Sequence, residues 1–342
     1  MNKRIADIDL GAGIMILWMI IYHALPTAWS FQSMEMNETA QLNPCELFPY
    51  LSFFMPWFFY KSGQFFMRRP MHDALIKDSR KLLLSFAVWS AIGYAMYLLF
   101  GAFNHTITLR STTYSIVRGL FLTGKIPVNE PLWFLLTLFG VRFVANLLLP
   151  NREEKYGWNK VIVIVCMGYI LAYCCYLWNH PLLPYWVANG ASGLVFFALG
   201  YGLRNYEDKW WIIAPCTIVY VLCCIIGFPM VDMMFNKLLT GSYLLWMPIA
   251  LCGIVTFNTL CKFICKHVRI IPLEFAGRNA MTIYVTHILI VTTIAFILRY
   301  WKISVLYPYA IWIILLGYLI IIPLFCVIHL KYSHDKQINE SK

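Results

Sequence analysis

The chain has 342 residues, of which 61% are hydrophobic and 13% charged, and its mean hydropathy is +0.67. A soluble domain runs near about 45–50% apolar and about 25% charged, and no soluble fold of this length has an interior for so much apolar surface. Soluble, disordered, collagen-like and disulfide-scaffold classes are excluded. What remains is an all-α polytopic membrane protein, with apolar residues enough for about ten transmembrane helices at roughly 20 residues each.

The 27 Lys and Arg against 16 Asp and Glu give a net charge of +11. In a membrane chain that excess reads as orientation and attraction to anionic lipid headgroups. No basic stripe with interleaved aromatics occurs in a polar segment, so no nucleic-acid partner is expected. The eleven cysteines lie mostly inside apolar runs, where Cys behaves as a small hydrophobe. Cys261, Cys265 and His267 are too few and too weak for a metal centre, and no metal is expected.

Ten apolar runs follow in chain order: 9–27, 47–67, 82–101, 131–149, 160–179, 184–203, 210–228, 240–261, 279–299 and 307–330. The first follows a short charged start and lacks a small-residue cleavage site, so it reads as a retained span. The run 114–124 carries Arg118 and Lys125 and reads as interfacial. With a cytoplasmic N-terminus, the inner segments hold nineteen Lys and Arg and the outer segments six, while Lys61 and Arg142 fall inside spans. This positive-inside bias places both termini in the cytoplasm. The outer loop 28–46 carries Glu35, Glu38 and Glu46 and no basic residue, which fits. No repeat or linker interrupts the pattern, so a single membrane domain, 1–342, is expected, with any chemistry among its helices.

Ionisable groups within spans are costly and are candidates for function. Asp9, Ala12, Ile16, Met19 and His23 share one face of the first helix. His23 lies fourteen residues beyond Asp9, or about 21 Å along the axis. Its neutral imidazole suits a general base near neutral pH; it reads equally as a ring bonded to a neighbouring helix. Lys61 follows eight largely aromatic residues and precedes Ser62-Gly63. It suits an anionic ligand in a cavity, or an amine snorkelling to the inner surface. His287, eight residues into the ninth helix, has the same two readings. Glu130-Pro131-Leu132-Trp133 opens the fourth helix, with proline at its first turn and Glu130 at its positive end. Arg68, Arg69, Arg80 and Arg278 mark inner segments, where guanidinium forks also match phosphates.

Five fragments in order resemble the acyltransferase 3 family of integral membrane acyltransferases. They are Arg4-Ile5…Ile8-Asp9…His23; Phe58-Phe59-Tyr60-Lys61-Ser62-Gly63-Gln64-Phe65-Phe66; Pro131-Leu132-Trp133-Phe134-Leu135; Phe196-Phe197-Ala198-Leu199-Gly200-Tyr201; and Gly277-Arg278-Asn279-Ala280-Met281-Thr282-Ile283-Tyr284-Val285-Thr286-His287. The resemblance implies transfer of an acyl group, commonly acetyl, from cytoplasmic acyl-CoA to a hydroxyl of a cell-envelope glycan or similar acceptor. It also implies a bacterial cytoplasmic membrane and no metal. It makes His23 the base; Asp9 on the same helical face, and Lys61 at a place that is ordinarily apolar in the family, are the other catalytic candidates. Arg68, Arg69, Arg80 and Arg278 become candidate partners of the donor phosphates. Trp133, Glu130, Ser62, Tyr284 and His287 become candidate substrate contacts. The family usually carries Arg or Lys eleven positions before the histidine, where this chain has Ala12; Lys61 is the candidate replacement. Ala12 also leaves open an inactive relative. A transporter or flippase is the reading from another class, and it would call for two repeated halves with broken helices, which the sequence lacks. Oligomeric state is not legible, because lipid-facing and partner-facing surfaces look alike.

Overall fold

The computed structural model describes residues 6–36, 49–103, 109–151, 157–179, 184–301, 312–313 and 315–317, the side chains of 28–36, 49, 103 and 109–112 excepted. It is mostly helical. The helices are α1 (Ala6–Met36), α2 (Phe54–Gln64), α3 (Met71–Asp78), α4 (Leu84–Phe103), α5 (Leu109–Arg118), α6 (Trp133–Leu148), α7 (Gly157–Trp178), α8 (Tyr185–Leu203), α9 (Trp210–Ile226), α10 (Tyr243–His267), α11 (Ile271–Arg278) and α12 (Ala280–Tyr300). One antiparallel hairpin, β1 (Met230–Asp232) and β2 (Lys237–Thr240), joins α9 to α10. It pairs Val231 with Leu238 and Asp232 with Lys237. The apolar-run reading has no place for this hairpin, because runs of hydrophobicity do not register a strand three or four residues long.

Among the described residues, seven helical stretches are long and apolar enough to cross a membrane: 6–27, 71–102, 130–148, 157–178, 185–203, 243–267 and 280–300. The helix α9 is apolar but has 17 residues. The second expected run holds a helix of only 11 residues, α2, preceded by a 3₁₀ turn at Pro49–Leu51. The last expected run, 307–330, lies almost wholly outside the described residues. At the other boundaries, helix replaces expected loop. The first nine residues of the segment 28–46 continue α1, and the basic stretch 71–83 is α3 followed by a π-helical turn, Ser79–Leu83, that runs into α4.

The chain divides into two compact units, residues 1–47 with 267–342 and residues 48–266. In the first, α11 and α12 pack on α1. The approach of α11 is close because two glycines face backbone. A Cβ on Gly13 would lie 1.9 Å from the Leu273 carbonyl oxygen, and one on Gly277 would lie 1.8 Å from that of Asp9. Small residues let membrane helices meet backbone to backbone.

In the second unit α8 is central and packs on α2, α6 and α7. The α2–α8 contact repeats the device: a Cβ on Gly63 would lie 1.9 Å from the Phe197 oxygen, and one on Gly200 would lie 2.0 Å from the Tyr60 oxygen. Around this seam Phe53, Trp57, Phe59, Phe196, Phe197 and Trp246 are buried. The Trp57 indole donates to Asn258 Oδ1 at 2.8 Å, so a polar handle locks α2 to α10 inside an apolar core.

Candidate active site

The first unit holds an imidazole pair. His23 is half-buried on α1, and the His287 side chain on α12 is fully buried. Their ring centroids are 5.1 Å apart at 45°. Tyr22 stands edge-on to His23 at 5.2 Å, and the Tyr284 ring lies 5.9 Å from His287. His287 Nδ1 is 2.6 Å from the Tyr284 carbonyl oxygen. A carbonyl only accepts, so Nδ1 carries the proton; a neutral His287 then presents Nε2 as an acceptor. Three residues past His23, Pro26 has no N–H to give the Tyr22 carbonyl, and the Thr27 hydroxyl donates to the His23 carbonyl at 2.9 Å. The backbone carrying His23 is therefore shaped by two departures from the regular helical ladder.

About four turns away along α1, a charged cluster surrounds Asp9. The Arg278 Nε donates to Asp9 Oδ2 at 3.2 Å, and its Nη2 to Glu274 Oε2 at 3.2 Å. Arg269 donates to both Glu274 oxygens, at 2.6 and 2.5 Å. The Arg269 hydrogen bonds, reinforced by Arg278, hold the Glu274 carboxyl below the usual glutamate range against the opposing effect of burial. Asp9 thus meets a cation from α11, next to the α1 turn that carries Ala12.

Lys61 belongs to the second unit. Its ammonium donates to Gln64 Oε1 at 2.9 Å and lies 3.5 Å from Glu207 Oε1. Gln64 in turn donates to Glu207. Lys61 also stands 5.8 Å from the Trp57 ring centroid. Its charge is compensated within the protein, as a cation at 8% exposure requires. Beside it, Arg142 pairs with Asp78 at 2.9 Å and donates to the Ser62 hydroxyl at 3.4 Å.

The remaining expected residues fall in different places. Arg68 donates to the Asn146 carbonyl at 3.1 Å, and the Arg69 backbone exchanges two 2.9 Å hydrogen bonds with the Asn146 amide. Arg80 is exposed in the π-helical turn and, with Lys77 and Lys81, borders an open cleft of about 430 Å³. Trp133 is buried at the start of α6, nine residues or about 13 Å along the helix from Arg142. Glu130 is exposed just before it. The structure therefore brings together His23, Tyr284 and His287, and separately Asp9 and Arg278. Glu130 and Trp133 lie at the entry to α6, where the neighbouring Phe134 ring meets Phe59 of α2 at 4.8 Å.

Sequence reasoning missed Glu207 and Asp78. Each is one acidic residue near a helix end, and only its partner across the bundle distinguishes it from a solvated charge. Arg142 carried a signal, as a cation inside an apolar run. Among the described residues no group of three or more His, Cys, Asp or Glu is placed to hold a metal ion.

Comparison with known proteins gives one match. A family described as acyltransferase domain matches residues 5–330, nearly the whole chain. No curated relative and no solved structure matches.

Proposed function

This chain belongs to the acyltransferase 3 family of membrane acyltransferases, and we propose that it moves an acyl group, acetyl in the first instance, from cytoplasmic acyl-CoA to a hydroxyl of a cell-envelope or exported glycan. The observation that carries this reading is the His23–His287 pair, a half-buried imidazole backed by a fully buried one. His23 serves as general base and His287 positions it. The fully buried His287 ring packs 5.1 Å from the His23 ring and limits how it turns, and the half-buried side of His23 faces the acceptor.

The step balances as follows. The acceptor oxygen bonds to the thioester carbon while His23 takes the hydroxyl proton. The tetrahedral intermediate then loses its C–S bond, and the thiolate leaves with the proton returned from the imidazolium. The products are an ester and free coenzyme A thiol. The oxyanion of the intermediate needs donors in place before the reaction, a part assigned to the Tyr284 side of the pair. The cleft lined by Lys77, Arg80 and Lys81 together with Asp73 and Ile76 supports docking of the donor phosphates, since three cations outnumber one carboxylate at one opening. Arg278, Arg68 and Arg69 join that set; the guanidinium groups of Arg278 and Arg68 also hydrogen-bond to protein acceptors.

For the basic group missing at Ala12, Arg278 meets Asp9 beside that turn; Lys61, the replacement read from the sequence, lies in the second unit, paired with Glu207. Activity of Lys61→Ala and Arg278→Ala separates them. The second reading, an inactive relative, is favoured by Ala12 itself. One experiment tests the proposal: purified protein in lipid nanodiscs with labelled acetyl-CoA and an envelope glycan fraction. Labelled glycan ester, lost in His23→Ala, is expected. Donor binding without transfer would leave the inactive relative.

A further inference from the structure

At the end of the second unit where α4 ends and α6 begins, five elements converge on a cleft of about 490 Å³. That is the size of a small-molecule site. Its walls carry four aromatic rings: Tyr97 from α4, Tyr114 from α5, Tyr185 from the start of α8 and Phe235 from the hairpin turn. Phe235 and Tyr185 meet edge to face at 5.8 Å. Two cations stand against these rings. The Lys125 ammonium lies 3.4 Å from the Phe235 centroid, and the Arg118 guanidinium lies 6.0 Å from that of Tyr114. Glu130 brings a carboxylate to the same opening.

The floor of the cleft is built rather than draped. Residues Gly119–Thr123 form a π-helical turn, a form that recurs at functional sites. The loop after it lies directly on that turn: a Cβ on Gly119 would come 2.1 Å from the Lys125 carbonyl oxygen. Val128, at φ +69°, is a β-branched residue in the left-handed region. Such a backbone persists where its surroundings over-determine it, and it clusters at ligand sites. Next to it the buried Asn129 donates to the Trp89 carbonyl at 3.4 Å, and Trp186 on α8 donates to the Phe121 carbonyl at 3.2 Å.

The chemistry of the lining selects the ligand class. A sugar ring offers an apolar C–H face, which packs on aromatic rings, and hydroxyls that both donate and accept. Lys125 and Arg118 supply donors and Glu130 supplies an acceptor. An anionic ligand would be served by the cations and opposed by Glu130, and by Asp232, whose charge reaches Lys125 from the hairpin. An acyl chain would leave all three charges without use. We propose that this cleft binds a neutral saccharide segment, stacked on Tyr97, Tyr114, Tyr185 and Phe235 and held through its hydroxyls by Lys125, Arg118 and Glu130. The cleft then recruits the glycan acceptor, so the inference rests on the glycan reading above.

The test is binding alone, without any acyl donor. Saturation-transfer NMR on the full chain in nanodiscs is run with maltotriose, cellotriose and chitotriose at millimolar concentration. At least one trisaccharide is expected to receive saturation from aromatic protons, and Tyr114→Ala, Lys125→Met or both weaken it by at least about tenfold. A measurement on the unsubstituted chain covers loss of fold in the variants: the bound trisaccharide shields the Lys125 amine from an acetylating reagent, read by mass spectrometry. No transfer from any of the three, smaller losses in both variants, or no shielding overturns the inference. Saccharide binding in a chain that never transfers an acyl group keeps the cleft and removes the transferase reading. Transfer in a chain that binds none of the three does the reverse.

Discussion

The His287 ring, wholly enclosed by protein, stands 5.1 Å from that of His23, which remains half open. The two imidazoles come from positions more than 260 residues apart in the chain. The enclosed ring is fixed by its 2.6 Å hydrogen bond to the Tyr284 carbonyl. The open ring is the one an acceptor can reach.

The pair predicts two different kinetic losses. His23→Ala removes the base, and kcat falls by about 10²–10⁴. His287→Leu keeps His23 but releases its orientation. There kcat falls less, KM for the donor stays, and the acidic limb of the pH–rate profile, which reports the base, moves. Steady-state kinetics with labelled acetyl-CoA over pH 5–9 distinguish them; equal loss with an unmoved profile would remove the positioning role.

The buried Lys61–Glu207 pair predicts an asymmetry in stability. Glu207→Ala leaves the Lys61 charge enclosed and costs about 3–5 kcal/mol. Lys61→Met with Glu207→Leu together removes both charges and costs much less, since a well-packed apolar pair replaces a desolvated one. Thermal unfolding of the three proteins in one detergent reads the order directly. A single variant as stable as the double would show that the charge is met by something else.

The glycine seam predicts which small substitutions break the fold. Gly63→Val and Gly200→Val each drive a side chain into backbone that now lies within 2.0 Å of the added carbon. Loss of monodisperse protein is expected in size-exclusion chromatography for both. Gly140, with nothing within 4 Å of its would-be Cβ, accepts alanine unchanged and serves as the control.

Burial lowers the Lys125 amine to about 8, with Glu130 and Asp232 acting against that shift and Arg118 with it. Its charge is therefore lost as pH rises through about 8, well before an ordinary lysine. The sign for folding follows: charging this amine weakens the folded state below that pH, and the penalty fades as pH climbs toward the unfolded value. Glu130→Gln removes a raising influence, so the titration moves lower. Reductive ¹³C-methylation with NMR titration, assigned through Lys125→Met, follows the shift. A titration that stays put or rises in Glu130→Gln would contradict the electrostatic account.

The membrane character, the helical class and the family were legible in the sequence, because each is a local or additive property. Apolar content sums along the chain, and five short fragments keep their order whatever the packing. His23, Lys61 and His287 were legible for a related reason: a polar group in an apolar run is conspicuous without knowing its neighbours. Their partners were not. Glu207 meets Lys61 across 146 positions, Arg278 meets Asp9 across 269, and the cleft draws Tyr97, Arg118, Lys125, Tyr185 and Phe235 from five elements. Such pairings depend on how each helix is rotated about its axis and how closely the glycines let it approach another. The short hairpin, the π-helical turns and the strained Val128 arise the same way, from what the surrounding elements impose on a few residues. Composition decided that the chain is membrane-bound and helical; only packing decided which charges face each other.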